Sequence, residues 1–114
     1  MTYNIITIGC QMNKADSERL SFYLEKLGFN HQANFLKADL VVIVTCGVRQ
    51  SADDRVYGLF NQVIKNNKRA VPVITGCLSD RKDVQKRLRG RAKIFFNISD
   101  LLYLNKELEK HFSN

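Results

Sequence analysis

The chain has only two histidines and three cysteines, and both shortages narrow what it can be. An odd cysteine number, with no two cysteines closer than 31 positions, rules out a complete disulfide framework and any local C-x-x-C redox or zinc-knuckle motif. The two histidines are His31 and His111, and neither falls at a predicted strand end, which disfavours a Cys₃His zinc site. Both read as surface residues. No run approaches the eighteen or so apolar residues of a membrane span, and Met1-Thr2-Tyr3-Asn4 lacks the basic and apolar regions of a secretory signal. The expectation is a cytoplasmic protein with no membrane partner. No linker or low-complexity run divides the chain, so its 114 residues predict one domain, 1–114, and the isolated domain is expected to be monomeric.

What is present is a repeated arrangement. Leu40-Val41-Val42-Ile43-Val44-Thr45 is an unbroken apolar, β-branched run, the pattern of a strand buried on both faces of a parallel sheet, and it runs straight into Cys46-Gly47. Ile5-Ile6-Thr7-Ile8-Gly9 runs into Cys10 in the same way, and Val73-Ile74-Thr75-Gly76 into Cys77. Each cysteine therefore stands where a strand gives way to a helix, the place where open α/β sheets put their ligands.

The intervening pattern predicts the rest. Strand 1 covers residues 4–9, and Cys10-Gln11-Met12-Asn13 turns into a helix with Leu20, Tyr23, Leu24 and Leu27 on one face, Asn13 as candidate N-cap and Gly28 as its stop. Phe29 to Phe35 predicts a short edge strand and Leu40–Thr45 the central one. A helix from about Arg49 to Asn66 carries Val56, Leu59, Phe60, Val63 and Ile64. Val71–Gly76 is the fourth strand, with Pro72 tolerable near its start. Ser79 or Asp80 caps a helix through Val84 and Leu88 to Gly90, Ile94–Phe96 is a fifth strand, and Ser99-Asp100 opens a last helix bearing Leu101, Leu104, Leu108 and Phe112. Alternating strands and helices with short connections predict a flavodoxin-like, doubly wound parallel five-stranded sheet in the order 2-1-3-4-5, with helices on both faces. In that order strands 1, 3 and 4, the three that end in cysteine, are neighbours.

Local residues exclude two familiar uses of such a sheet. Cys10-Gln11-Met12-Asn13 is not the Ser/Thr/Gly loop that cradles a flavin phosphate. The carboxylates Asp53 and Asp54 sit inside the second helix rather than at the strand ends where a phosphoryl receiver needs them. Thiols beside helix N-termini favour the thiolate, which binds soft metals. A single cysteine reads as an inert buried thiol; three in matching positions read as a ligand set. A cubane [4Fe–4S] cluster on three thiolates keeps one iron open, and zinc is the competing metal.

The charge of +7 is uneven. Residues 1–48 balance four basic against four acidic groups, whereas Arg81–Lys93 holds seven basic residues against Asp83 alone. Arg81, Lys86, Arg87 and Arg91 are candidates to face RNA; a solvated helix side is the alternative, since no aromatic interleaves them. A non-catalytic basic α/β module that binds RNA or a partner thus stands as a reading in which the cysteines are merely buried.

Gly9-Cys10-Gln11-Met12-Asn13 with Asp16-Ser17-Glu18, then Val42-Ile43-Val44-Thr45-Cys46-Gly47-Val48-Arg49 leading to Val56-Tyr57-Gly58, then Thr75-Gly76-Cys77 and Asn97-Ile98-Ser99, resemble the N-terminal domain of the radical S-adenosylmethionine methylthiotransferases. The resemblance covers essentially the whole chain. It implies that Cys10, Cys46 and Cys77 hold an auxiliary [4Fe–4S] cluster, with Asn13 and Arg49 orienting the turns or tempering its charge. It implies also a second [4Fe–4S] cluster and S-adenosylmethionine in a following radical domain of the same polypeptide, a C-terminal RNA-binding domain, and a sulfur or methylthio group inserted into an unactivated C–H bond. Gln-Met-Asn after Cys10 and Val-Arg after Cys46 look more like the branch that converts N6-isopentenyladenosine-37 of transfer RNA to its 2-methylthio form than the branch that modifies ribosomal protein S12. Where the family usually has Asn before Thr-Cys, this chain has Val44. Neither the radical nor the RNA-binding domain is in these 114 residues, which implies that the chain alone does not catalyse the transfer.

Overall fold

The computed structural model describes residues 1–8, 11–45, 50–76, 82–88 and 90–112. Along the chain run β1 (Thr2–Thr7), α1 (Gln11–Lys26), β2 (Asn30–His31), β3 (Leu40–Thr45), α2 (Gln50–Asn66), β4 (Val71–Gly76), α3 (Lys82–Arg87), β5 (Ile94–Phe96) and α4 (Leu101–Phe112). The strands form one sheet in the order β2-β1-β3-β4-β5, and every neighbouring pair is parallel. That is the flavodoxin-like arrangement the sequence predicts.

The pleat divides the apolar residues of each strand between two layers, because successive side chains point to opposite faces. Leu40, Val42 and Val44 of β3 join Val71 and Val73 of β4 in packing against Leu20 and Leu24 of α1 and Leu104 and Leu108 of α4. Val41, Ile43 and Ile74 point the other way, toward Val56, Phe60 and Val63 of α2 and Leu88 beyond α3. All six residues of β3 are buried, as a strand covered on both faces requires. Val44 packs into the α1/α4 core.

Several boundaries differ from the sequence reading. β1 lies two residues earlier, at Thr2–Thr7. α1 already includes Gln11, Met12 and Asn13, so Asn13 stands inside the first turn and is not the N-cap; Gln and Met are good helix formers and nothing breaks the helix before Lys14. The second strand shrinks to Asn30–His31, since beyond it side chains compete for the backbone: Leu36 N donates to Asn34 Oδ1 and Asn34 N to Gln32 Oε1. Leu27 and Ile64 are exposed rather than core, being placed at or past the helix ends. The Ser79 and Asp80 caps lie outside the described residues.

The helix stops behave as their chemistry dictates. Gly28 has φ +101°, its N–H bonds Glu25 O, and Phe29 N bonds Leu24 O, the paired closure of a Schellman motif with Phe29 and Leu24 sharing a core cluster. Asp100 caps α4, its Oδ1 accepting from Tyr103 N at 3.2 Å. His31 and His111 are exposed, as expected. Among the described residues, no helix is long and apolar enough to cross a membrane.

Two polar residues in the connecting turns tie the N-terminal edge of the sheet. Buried Asn67 donates from Nδ2 to Phe35 O (3.0 Å) and Ala38 O (2.9 Å). Asp39 Oδ2 accepts from Thr2 N (2.9 Å), and its Oδ1 lies 3.4 Å from Arg69 Nε. The Thr2 backbone bond, with Thr2 Oγ1 and Arg69 adding to it, holds the Asp39 carboxyl below its ordinary value. A carboxyl depressed in the fold stabilises it fully above the unfolded-chain value near 3.9, and that contribution is lost as pH falls through the lower folded value. Asp39→Asn should therefore cost about 1 kcal/mol at neutral pH and flatten the acid limb of stability below about pH 4. Denaturant titrations of both proteins at pH 7 and pH 3 check this; an equal gap at both pH values would contradict it.

Candidate functional site

The candidate site is the C-terminal edge of the sheet, where β1, β3 and β4 stop side by side. Thr7 pairs with Val44, and the ladder continues one step as Ile8 N donates to Val44 O at 2.8 Å. Thr45 pairs with Gly76. The residues immediately before Cys46 and Cys77 are thus register partners, and Ile8, two residues before Cys10, is bonded to the same central strand. Cys10, Cys46, Cys77, Arg49 and Arg81 themselves lie outside the described residues. Among the described residues, no three metal-ligating side chains stand together.

This edge is built from short polar contacts and one close backbone approach. Thr45 Oγ1 donates to Thr75 O at 2.7 Å, a side-chain clasp across β3 and β4. Gly76 has φ +97°, and a Cβ there would lie 2.2 Å from Thr45 O. Only glycine fits both the dihedral and the gap. On the opposite face of the sheet, Thr7 Oγ1 and Ser17 Oγ stand 2.6 Å apart and anchor α1 against the end of β1. Thr75 Oγ1 is fully buried and has no hydrogen-bond partner among the described residues. An unpaired buried hydroxyl is costly, and it stands on the strand that runs into Cys77.

The basic candidates separate. Lys86 and Arg87 are exposed on α3, and Arg91 follows in the turn that leads to β5. The Arg87 guanidinium lies 3.7 Å from the centroid of the Tyr57 ring, stacked on α2 rather than free over solvent. Sequence reasoning had no means of finding that pair, which joins residues thirty positions apart on two helices. It also left out Lys82, whose spacing of four from Lys86 places both on one flank of α3.

Comparisons with known proteins agree with the motif resemblance. The chain is 37% identical over 111 residues to the tRNA-2-methylthio-N(6)-dimethylallyladenosine synthase of Syntrophomonas wolfei, covering 91% of this chain and 25% of that protein. With the enzyme of the same name from Caldicellulosiruptor saccharolyticus it shares 38% over 112 residues, 96% of the chain and 23% of the relative. With that from Finegoldia magna it shares 34% over 120 residues, 99% and 26%. The chain spans about a quarter of the length of these curated relatives. Matched by the family model over residues 2–96, the chain belongs to the Uncharacterized protein family UPF0004.

Proposed function

We propose that this chain is the part of a transfer-RNA methylthiotransferase that holds an auxiliary [4Fe–4S] cluster, through Cys10, Cys46 and Cys77, acting in the cytoplasm together with a radical S-adenosylmethionine domain of the same polypeptide. The observation that carries it is the alignment of the three strand ends: Thr45 pairs with Gly76, and Ile8 bonds Val44. The names of the relatives favour the transfer-RNA branch over the ribosomal-protein branch.

The donor set suits the group, because thiolates are the ligands of iron–sulfur clusters and three leave one iron open. The surrounding residues suit it too. Gly76 keeps β3 and β4 in close register at the exit, and Thr75 brings to the same edge a buried hydroxyl with no partner among the described residues. When bound, such a cluster would supply the sulfur or methylthio group to be inserted into the substrate C–H bond. The chain's own task is to hold three cysteine turns on a rigid sheet edge, which the Thr45–Thr75 clasp and the Thr7–Ser17 contact stiffen. Asn13 and Arg49 are assigned to orient those turns and temper the negative charge beside them.

Anaerobic reconstitution with iron and sulfide tests the proposal. It should yield about four irons per chain with broad visible absorption, and Cys10→Ala, Cys46→Ala and Cys77→Ala should each lose most of both. A colourless, chelator-sensitive zinc protein, or a Cys46→Ala variant that binds as much iron as the parent, overturns it. Given S-adenosylmethionine, a reductant and transfer RNA, the reconstituted chain alone should form no methylthio nucleoside detectable by mass spectrometry.

A further inference from the structure

Away from the strand ends, an open groove of about 490 Å³ runs between α3 and the edge strand β5, lined by Lys82, Gln85, Lys86, Gly90, Ala92 and Phe95. Its size is in the range of small-ligand sites. One wall is cationic: Lys82 and Lys86 are both exposed and lie four residues apart on α3, so their stems rise from the same flank about 6 Å apart. The floor is aromatic and apolar, since Phe95 packs on the α2-side core with part of its ring and lines the groove while only half-buried. Gly90, in a left-handed turn at φ +85°, and Ala92 add no bulk to the end wall.

A flat ring beside two cations matches the two parts of a nucleotide. Aromatic side chains stack bases regardless of sequence, and lysines pair with phosphates. The groove opens to solvent, and the excess positive charge of the chain lies entirely beyond residue 48, in the half that contains it. We propose that this groove binds single-stranded RNA, one base stacked on Phe95 and the flanking phosphates paired with Lys82 and Lys86. The choice of RNA as the polymer rests on the methylthiotransferase reading; the groove itself does not depend on the cysteines. Arg87, held on Tyr57, stiffens the helix that presents the two lysines rather than reaching for the strand.

The test uses the full chain without a cluster and a labelled single-stranded oligoribonucleotide of about twelve nucleotides, with anisotropy followed across a salt series. Lys82→Ala/Lys86→Ala should weaken binding and reduce the slope of log affinity against log salt by about 1.4, the share of two phosphate contacts. Phe95→Leu, checked for folding by its thermal melt, should weaken binding roughly tenfold with the slope unchanged. Lys26→Ala/Lys37→Ala removes the same charge from the opposite side and should stay within about twofold of the parent. Cys46→Ala should bind as the parent does, so failure of the cluster assignment and failure of this one give different results. Equal losses in the two double-lysine variants, an unaffected Phe95→Leu, or displacement of the oligonucleotide by adenosine monophosphate at equal nucleotide concentration would overturn the proposal.

Discussion

Replacing Gly76 by alanine is expected to cost at least about 3–5 kcal/mol, a large share of the 5–15 kcal/mol that holds a domain of this kind together. Two independent penalties meet at this residue. Its φ of +97° is a region that L side chains rarely adopt, and the added Cβ would stand 2.2 Å from Thr45 O, 2.8 Å from Thr45 N and 2.9 Å from Thr45 Oγ1. Two of those three atoms are backbone, so no rotamer change relieves the contact. β3 and β4 would have to part at the end where Thr45 Oγ1 clasps Thr75 O. Gly28 separates the two penalties: its φ is +101°, yet a Cβ there meets nothing within 4 Å. Gly28→Ala should therefore lose only the dihedral part, about 1–2 kcal/mol. Urea unfolding of the two variants measures the difference. Should Gly76→Ala prove no worse than Gly28→Ala, the close approach of β3 and β4 would be refuted. Because Gly76 immediately precedes Cys77, a folded remnant of the variant should also fall well short of about four irons on reconstitution.

Phe60→Ala should cost about 3–5 kcal/mol, the usual range for emptying a buried aromatic site. Phe60 is fully buried and belongs to the layer shared by Ile43, Ile74, Val56, Leu88 and Ala92. Its loss leaves a cavity between α2 and the sheet that rigid β3 and β4 cannot close. At roughly 4 °C of melting temperature per kcal/mol for a chain of this size, the midpoint should drop by about 10–20 °C. Leu88 and Ala92 flank α3 and its groove, so the same variant should weaken RNA binding through looser packing with the salt slope retained. Phe60→Leu, which keeps most of the volume, should recover more than half of the stability. A drop below about 1 kcal/mol for the alanine variant would show that α2 is not fastened through this residue.

The fold was legible because its signals are local and long. β3 and β4 were bounded to the residue by their apolar runs, and α4 by Ser99-Asp100 and its spaced leucines. β2 is shorter than the predicted Phe29–Phe35, because that segment is apolar enough to read as a strand while Gln32 and Asn34 bond the nearby backbone instead. α1 begins three residues before the predicted Lys14, because Gln and Met simply continue the helix ahead of an Asn that could cap it. At the site, the order of strands and the cysteine at the end of each were readable. The Arg87–Tyr57 stack and the Asn67 and Asp39 ties were not, since each joins segments about thirty residues apart.

Taken alone, the sequence determined which segments are strands and helices, that the sheet is parallel, and that three of its strands run into a cysteine. Periodicity, caps and apolar runs act over a few residues, and short alternating connections leave few topologies open. Only the tertiary structure decided that Gly76 lies against the Thr45 backbone, that Thr75 keeps a buried hydroxyl unpaired among the described residues, and that Lys82 and Lys86 share a groove with Phe95. Those facts depend on register and on which helix flank meets which strand. Both are set by packing between residues distant in the chain, to which no local pattern of amino acids corresponds.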